Sequence, residues 1–133
     1  VQRVFFDTNI FIYLISADAA KAEKAEAVLV SGGVVSVQVL NEFTSVASRK
    51  HGLSVSELRD FLGTIKALCE VVPLSLQTHE HGLDLVERLG FSIYDALIVA
   101  AAQLADCTVL YTEDLQPGQV IDELTICDPF RVV

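Results

Sequence analysis

Residues Val4 to Tyr13 read VFFDTNIFIY, with one carboxylate, Asp7, set between two apolar runs. Arg3 to Phe6 predicts a short buried strand, and Asn9 to Ile15 is too apolar to face water on any side, which predicts a buried helix. A charge at that junction is expensive to hide unless it caps the helix or shares its site with a cation. A strand feeding directly into a helix is the first unit of an alternating α/β chain.

The alternation continues outward. DAAKAEKAEAVLV, Asp18 to Val30, predicts an Ala-rich surface helix stopped by Gly32-Gly33. Val34 to Ser36 predicts a second strand. VQVLNEFTSVASRKHG then places Val39, Leu40, Phe43, Val46 and Ala47 at helical spacing until Gly52. Ser54 opens a helix over Val55 to Leu68, with Leu58, Phe61, Leu62 and Ile65 in a stripe that reads as packing against the sheet, or else as one wall of a partner groove. Val71 to Pro73 predicts a third strand, and Leu76 to Leu89 a helix with Gly82 as a possible break. YDALIVAAAQLAD, Tyr94 to Asp106, is apolar almost all round and predicts the central buried helix. Thr108 to Tyr111 predicts a fourth strand, Glu113 to Gly118 a turn, and Thr125 to Cys127 a fifth strand. The expected architecture is α/β, a three-layer α/β/α sandwich on a short parallel sheet of about five strands. Residues 1–133 are expected to form a single domain.

Composition narrows the function. Hydrophobic residues make up 52% of the 133, which supports a packed core and argues against disorder. Every apolar run is interrupted before the roughly 18 residues of a membrane span, so a soluble, cytoplasmic protein without a membrane partner is expected. Cys69, Cys107 and Cys127 lack CxxC spacing and read as reduced thiols. The formal charge of −9 opposes a simple polyanion-binding surface, so a nucleic-acid substrate would need bridging cations.

Most of the acids lie on helix faces as solvated charge. Asp7 follows the first strand, Asp114 follows the fourth, Glu42 borders the apolar stripe of its helix, and Asp95 opens the most apolar helix. In open parallel sheets ligands collect beyond the carboxyl ends of the strands, where these four acids can meet. Each also has a structural role open to it. Asp7 suits a helix N-cap, Asp95 completes a capping box begun at Ser92, Glu42 suits a half-exposed helix face, and Asp114 suits a turn. Together they repel unless a cation shares the site, and an all-oxygen set suits Mg2+ or Mn2+. Such a cation binds phosphate oxygens and acidifies water, which points to phosphodiester hydrolysis. Glu113 adjoins Asp114, but neighbours on a turn seldom point the same way, so it is expected outside the site. Arg49-Lys50-His51 is the one basic cluster, a helix end that could also touch a nucleic-acid backbone through Arg49 and Lys50. His79 and His81, two apart, would diverge on a helix.

FFDTNIFIY around Asp7, VLNEF around Glu42, SIYDALIVAAA around Asp95 and VLYTEDLQPG around Asp114 resemble, in order and spacing, the PIN domain, with the greatest likeness to VapC-type toxins of toxin–antitoxin pairs. The resemblance covers essentially the whole chain. It implies that Asp7, Glu42, Asp95 and Asp114 form the acidic catalytic and metal-binding quartet, and that strands one and four lie side by side. It further implies that Thr8, Asn9 and Thr112 orient the acids. An RNA substrate, a cognate antitoxin protein and a homodimer follow from the resemblance alone. Many toxin relatives resemble TEDLQHGQ, where this chain has Pro117. DTNI after a first strand also resembles haloacid dehalogenase phosphatases, but that pattern expects a second Asp where Asn9 stands. A receiver-like signalling domain would carry adjacent early acids and a Lys after a late strand, both missing here. A catalytically silent scaffold that only binds protein differs from the nuclease by activity rather than by sequence.

Overall fold

The computed structural model describes residues 2–131. Its strands are β1 (Val4–Phe6), β2 (Gly33–Ser36), β3 (Cys69–Val72), β4 (Val109–Tyr111), β5 (Val120–Ile121) and β6 (Leu124–Cys127). Its helices are α1 (Thr8–Leu14), α2 (Ala19–Leu29), α3 (Val37–His51), α4 (Val55–Leu68), α5 (Leu76–Leu89) and α6 (Ile93–Leu104). The strands form one sheet in the order β3-β2-β1-β4-β6-β5, parallel throughout except for the β5–β6 pair.

The alternating α/β reading therefore holds. The sheet has six strands because Val120–Ile121 adds a strand that its sequence conceals. β5 and β6 form a hairpin closed by Asp122 and Glu123, with Asp122 at φ 56°. Two residues are too few to show an alternating pattern, and an Asp-Glu turn lacks the Gly or Asn that usually marks such a position. The third strand starts at Cys69 and stops before Pro73, which has no N–H to give to a ladder.

Apolar patterning explains the packing. Phe5, Phe6, Ile10, Phe11, Val35, Leu110 and Ile126 are almost wholly buried in the centre of the sheet and under α1. Phe6 meets Phe11 edge-on at 6.0 Å and stacks on Tyr111 at 5.8 Å, which locks β1, β4 and α1 together. Helix α1 is less enclosed than its composition predicts. Thr8, Ile10 and Phe11 are buried, while Ile12, Tyr13 and Leu14 are only partly covered. In α4, Leu58 and Ile65 are buried and Phe61 stacks on Phe43 at 4.7 Å, so the stripe packs inward. Gly82 does not break α5. A Cβ there would lie 2.9 Å from Leu97 Cδ2, so the glycine lets α5 and α6 approach closely. The cysteines are all free. Among the described residues, no helix is long and apolar enough to cross a membrane.

Strand β1 is followed by β2 on one side of the sheet and flanked by β4 on the other. The connections diverge between β1 and β4, and this switch point opens a crevice at the carboxyl edge. The register Phe6 to Tyr111 places the residues after both strands side by side, and Asp7 N–H donates to Tyr111 O at 3.0 Å.

Candidate active site

Asp7 is the last residue before α1, and its Oδ1 accepts the Thr8 N–H at 2.7 Å. Its Oδ2 accepts the Thr112 hydroxyl at 2.8 Å, across the β1–β4 junction. The helix cap and the site role coexist, because each carboxylate oxygen keeps a lone pair free. Thr112 is fully buried, and its Oγ1 also accepts the Asp114 N–H at 3.1 Å, which fixes the turn after β4. Asn9 Nδ2 then donates to Asp114 Oδ2 at 3.1 Å.

Glu42 approaches from α3. Its Oε1 accepts the Thr8 hydroxyl at 2.7 Å, so Thr8 serves Asp7 through its backbone and Glu42 through its side chain. Its Oε2 accepts Gln38 Nε2 at 3.4 Å, and the same amide donates to Tyr94 O at 3.2 Å, beside Asp95. Gln38 is a residue that sequence reasoning passed over. The sequence offers only an ambiguous signal, an amide one helical turn before Glu42 beside an apolar stripe, and the structure buries it. Asp95 lies in the first turn of α6. Ser92 Oγ accepts its N–H at 3.3 Å, half of a capping box, while the Asp95 carboxylate lines the cavity.

All four acids line one cavity of about 580 Å³, together with Thr8, Asn9, Tyr94 and the exposed Arg49 and Lys50 of α3. Glu113 lines it as well, contrary to the expectation that it would turn away. The turn carries both acids inward because Glu113 is drawn to α1 and α2. Its carboxylate accepts the Tyr13 hydroxyl and pairs with Lys21 Nζ at 3.3 Å. His51 and His79 do not line this cavity, and His81 bonds Gln103 at 2.7 Å instead.

The charges are frustrated. The Asp7 carboxyl is pushed up to about 6, chiefly by burial and further by the charges of Asp114 and Glu42, with the Thr112 and Thr8 hydrogen bonds opposing. Asp114 is also raised, first by burial, with Asn9 opposing and Asp95, Glu113 and Glu42 adding repulsion. Asn9 Oδ1 and Gln38 Oε1 are buried without a donor. This is an oxygen-rich, donor-poor cluster, the chemistry a hard divalent cation satisfies. Among the described residues, no three His, Cys, Asp or Glu side chains are already arranged to hold a metal ion.

The PIN domain family model matches residues 4–120. The chain belongs to the PIN domain family. Among solved structures, its fold is similar to a toxin–antitoxin complex from Klebsiella pneumoniae, with a TM-score of 0.75 and 21% identity over 97% of this chain and 99% of that one. VapC20 of Mycobacterium tuberculosis, described as a sarcin–ricin loop cleaving toxin, has a TM-score of 0.69 and 19% identity over 84% and 89%. VapBC2 from Rickettsia felis, bound to a promoter DNA fragment, has a TM-score of 0.64 and 20% identity over 92% and 96%. No curated protein matches in sequence. The PIN assignment accords with the parallel sheet, the β1–β4 adjacency and the acids gathered at its carboxyl edge.

Proposed function

We propose that this PIN domain is a divalent-cation-dependent endoribonuclease, the toxin of a toxin–antitoxin pair. The observation that carries the reading is the gathering of Asp7, Glu42, Asp95 and Asp114, from four separate chain segments, around one cavity that also presents two cations. Asp7, Asp95 and Asp114 would hold Mg2+ or Mn2+, with Glu42 as a further ligand or as the proton acceptor. When bound, the cation supplies positive charge for the phosphate oxygens and acidifies a water.

The chain's own residues perform the rest. Thr8 and Thr112 hold the Asp7 carboxylate in one orientation, and Asn9 and Thr112 hold Asp114. Glu42, steadied at both oxygens by Thr8 and Gln38, takes a proton from the attacking water as the water oxygen bonds to phosphorus. The phosphorus–O3′ bond breaks in line, and the displaced 3′ oxygen takes a proton from solvent and leaves as a hydroxyl. Arg49 and Lys50 meet flanking phosphates, and the ring of Tyr94, 67% exposed at the rim, offers a face to a base.

The toxin role, the antitoxin partner and association into a homodimer draw on the resemblance in sequence motifs, and the fold shared with toxin–antitoxin structures supports the first two. A silent scaffold is disfavoured by the cost of keeping Asp7 buried and charged beside three other acids. The test is cleavage of a mixed RNA pool with and without Mg2+ or Mn2+, with Asp7→Asn and Asp95→Asn beside the parent. Cation-dependent cleavage lost in both variants is expected. Equal cleavage by the variants, or cleavage indifferent to the cation, overturns the mechanism.

A further inference from the structure

Five carboxylates line the cavity, yet one of them is already neutralised. Glu113 has both oxygens engaged, Oε1 by the Tyr13 hydroxyl and Oε2 by Lys21 Nζ at 3.3 Å. Lys21 Nζ also donates to the Tyr13 hydroxyl at 2.9 Å and lies 4.5 Å from the Tyr13 ring centroid and 5.7 Å from that of Phe130. The Tyr13 and Phe130 rings pack at 4.6 Å. Side chains of α1, α2 and the C-terminal segment thus converge on a residue adjacent to Asp114.

Among the described residues, this is the one ion pair that includes a cavity-lining acid. The Arg3–Glu70 and Arg88–Asp122 pairs lie elsewhere, on more exposed side chains. With side-chain exposures of 35% and 28%, Lys21 and Glu113 are partly shielded from solvent screening. The aromatic rings fix the ammonium from a further side, as cation–π contacts do. Two anchors then hold adjacent residues of the turn after β4. Thr112 and Asn9 grip Asp114, and Lys21 and Tyr13 grip Glu113.

We infer that Lys21, acting with Tyr13, is a positioning residue that withdraws Glu113 from the acidic cluster and thereby sets the placement of Asp114. The inference rests on the nuclease reading above. Without Lys21, Glu113 keeps the Tyr13 hydroxyl but loses its counter-charge, and a fifth uncompensated carboxylate stands beside the other four. The added negative charge draws a cation more strongly, while the loosened turn misplaces Asp114. Cation affinity and catalysis should therefore move in opposite directions, which a merely structural contact would not produce.

The test compares the parent with Lys21→Met, Lys21→Arg and the double variant Lys21→Met with Glu113→Gln. Two readouts are taken: the Mg2+ concentration that half-raises the melting midpoint without RNA, and kcat and KM for RNA cleavage. For Lys21→Met the Mg2+ midpoint should fall by a factor of about three to ten. Its kcat should drop about 10- to 100-fold with KM little changed, the scale of a misplaced group. Lys21→Arg should restore most of the kcat, and the double variant should return the Mg2+ midpoint toward the parent value. Lys21→Met matching the parent in both readouts overturns the inference, as does a parallel loss of Mg2+ response and kcat. A parent that responds to Mg2+ without cleaving RNA sinks the nuclease reading and leaves the Mg2+ comparison to decide on Lys21. A parent with no Mg2+ response sinks both.

Discussion

Asp7→Asn should make the cation-free protein more stable at neutral pH, although it removes a central acid of the site. Asp7 is 6% exposed, and its carboxyl is pushed up to about 6 from 3.8, chiefly by burial. A shift of about two pH units corresponds to roughly 3 kcal/mol by which the folded chain prefers the neutral form. Between those two values the native state holds a proton that the unfolded chain has released. Stability from this group is therefore full below about 3.8, declines as pH rises towards 6, and stays low above it. Asparagine imitates the neutral carboxyl. Its Oδ1 can accept the Thr8 N–H, and its Nδ2 can donate to Thr112 Oγ1 once that hydroxyl turns.

The expected gain for Asp7→Asn at pH 7.5 in EDTA is about 1–3 kcal/mol, the upper figure being the full ionisation cost. For a domain of this size that is roughly 3–10 °C in melting midpoint. Thermal melting from pH 3.5 to 8 should show the two proteins alike in acid and diverging between about pH 4 and 6. Millimolar Mg2+ should then raise the parent and not the variant, narrowing the gap by mass action. A variant less stable than the parent at pH 7.5, or a difference that ignores pH, refutes the argument that burial of this charge is costly.

Thr112→Val should lose about 1–3 kcal/mol, because it strips a buried hydrogen bond from Asp7 Oδ2 and leaves the Asp114 N–H without its acceptor. Thr112→Ser keeps the hydroxyl and should recover most of that loss in urea unfolding. Gly33→Ala should cost about 1–3 kcal/mol by overpacking, since a Cβ there would lie 2.5 Å from Phe6 Cε2 and 2.9 Å from Val4 O. Urea midpoints report this directly, and a neutral result would show that β1 and β2 can separate at that point.

What the sequence disclosed and what it hid divide along a physical line. Patterns that are local, such as the apolar runs around Asp7, the cap at Ser54 and the stop at the left-handed Gly52, are written in neighbouring residues. The convergence of Asp7, Asp95 and Asp114 on one cavity was legible because each adjoins the end of a strand or the start of a helix, and parallel sheets bring such ends to one edge. Lys21 was not legible. In an Ala-rich helix it looks like any solvated charge, and its partner Glu113 lies 92 positions away. Gln38 was concealed for a milder reason: an amide beside an apolar stripe is ambiguous until the burial of its helix face is known.

The formal charge of −9 opposes a simple polyanion-binding surface, and the cavity repeats that opposition locally. With Glu113 paired to Lys21, its walls carry four uncompensated acids against two cations, Arg49 and Lys50, so the site is anionic on its own. RNA approaching this lining would meet net repulsion. A divalent cation held there would offset most of that repulsion and would also remove the ionisation cost at Asp7, because positive charge nearby favours the carboxylate. On the proposed nuclease reading, the same ion would govern both substrate entry and local stability. Each should rise over the same range of Mg2+ concentration, and a protein stabilised by Mg2+ in one range but binding RNA in a quite different one would require separate sites for the two effects.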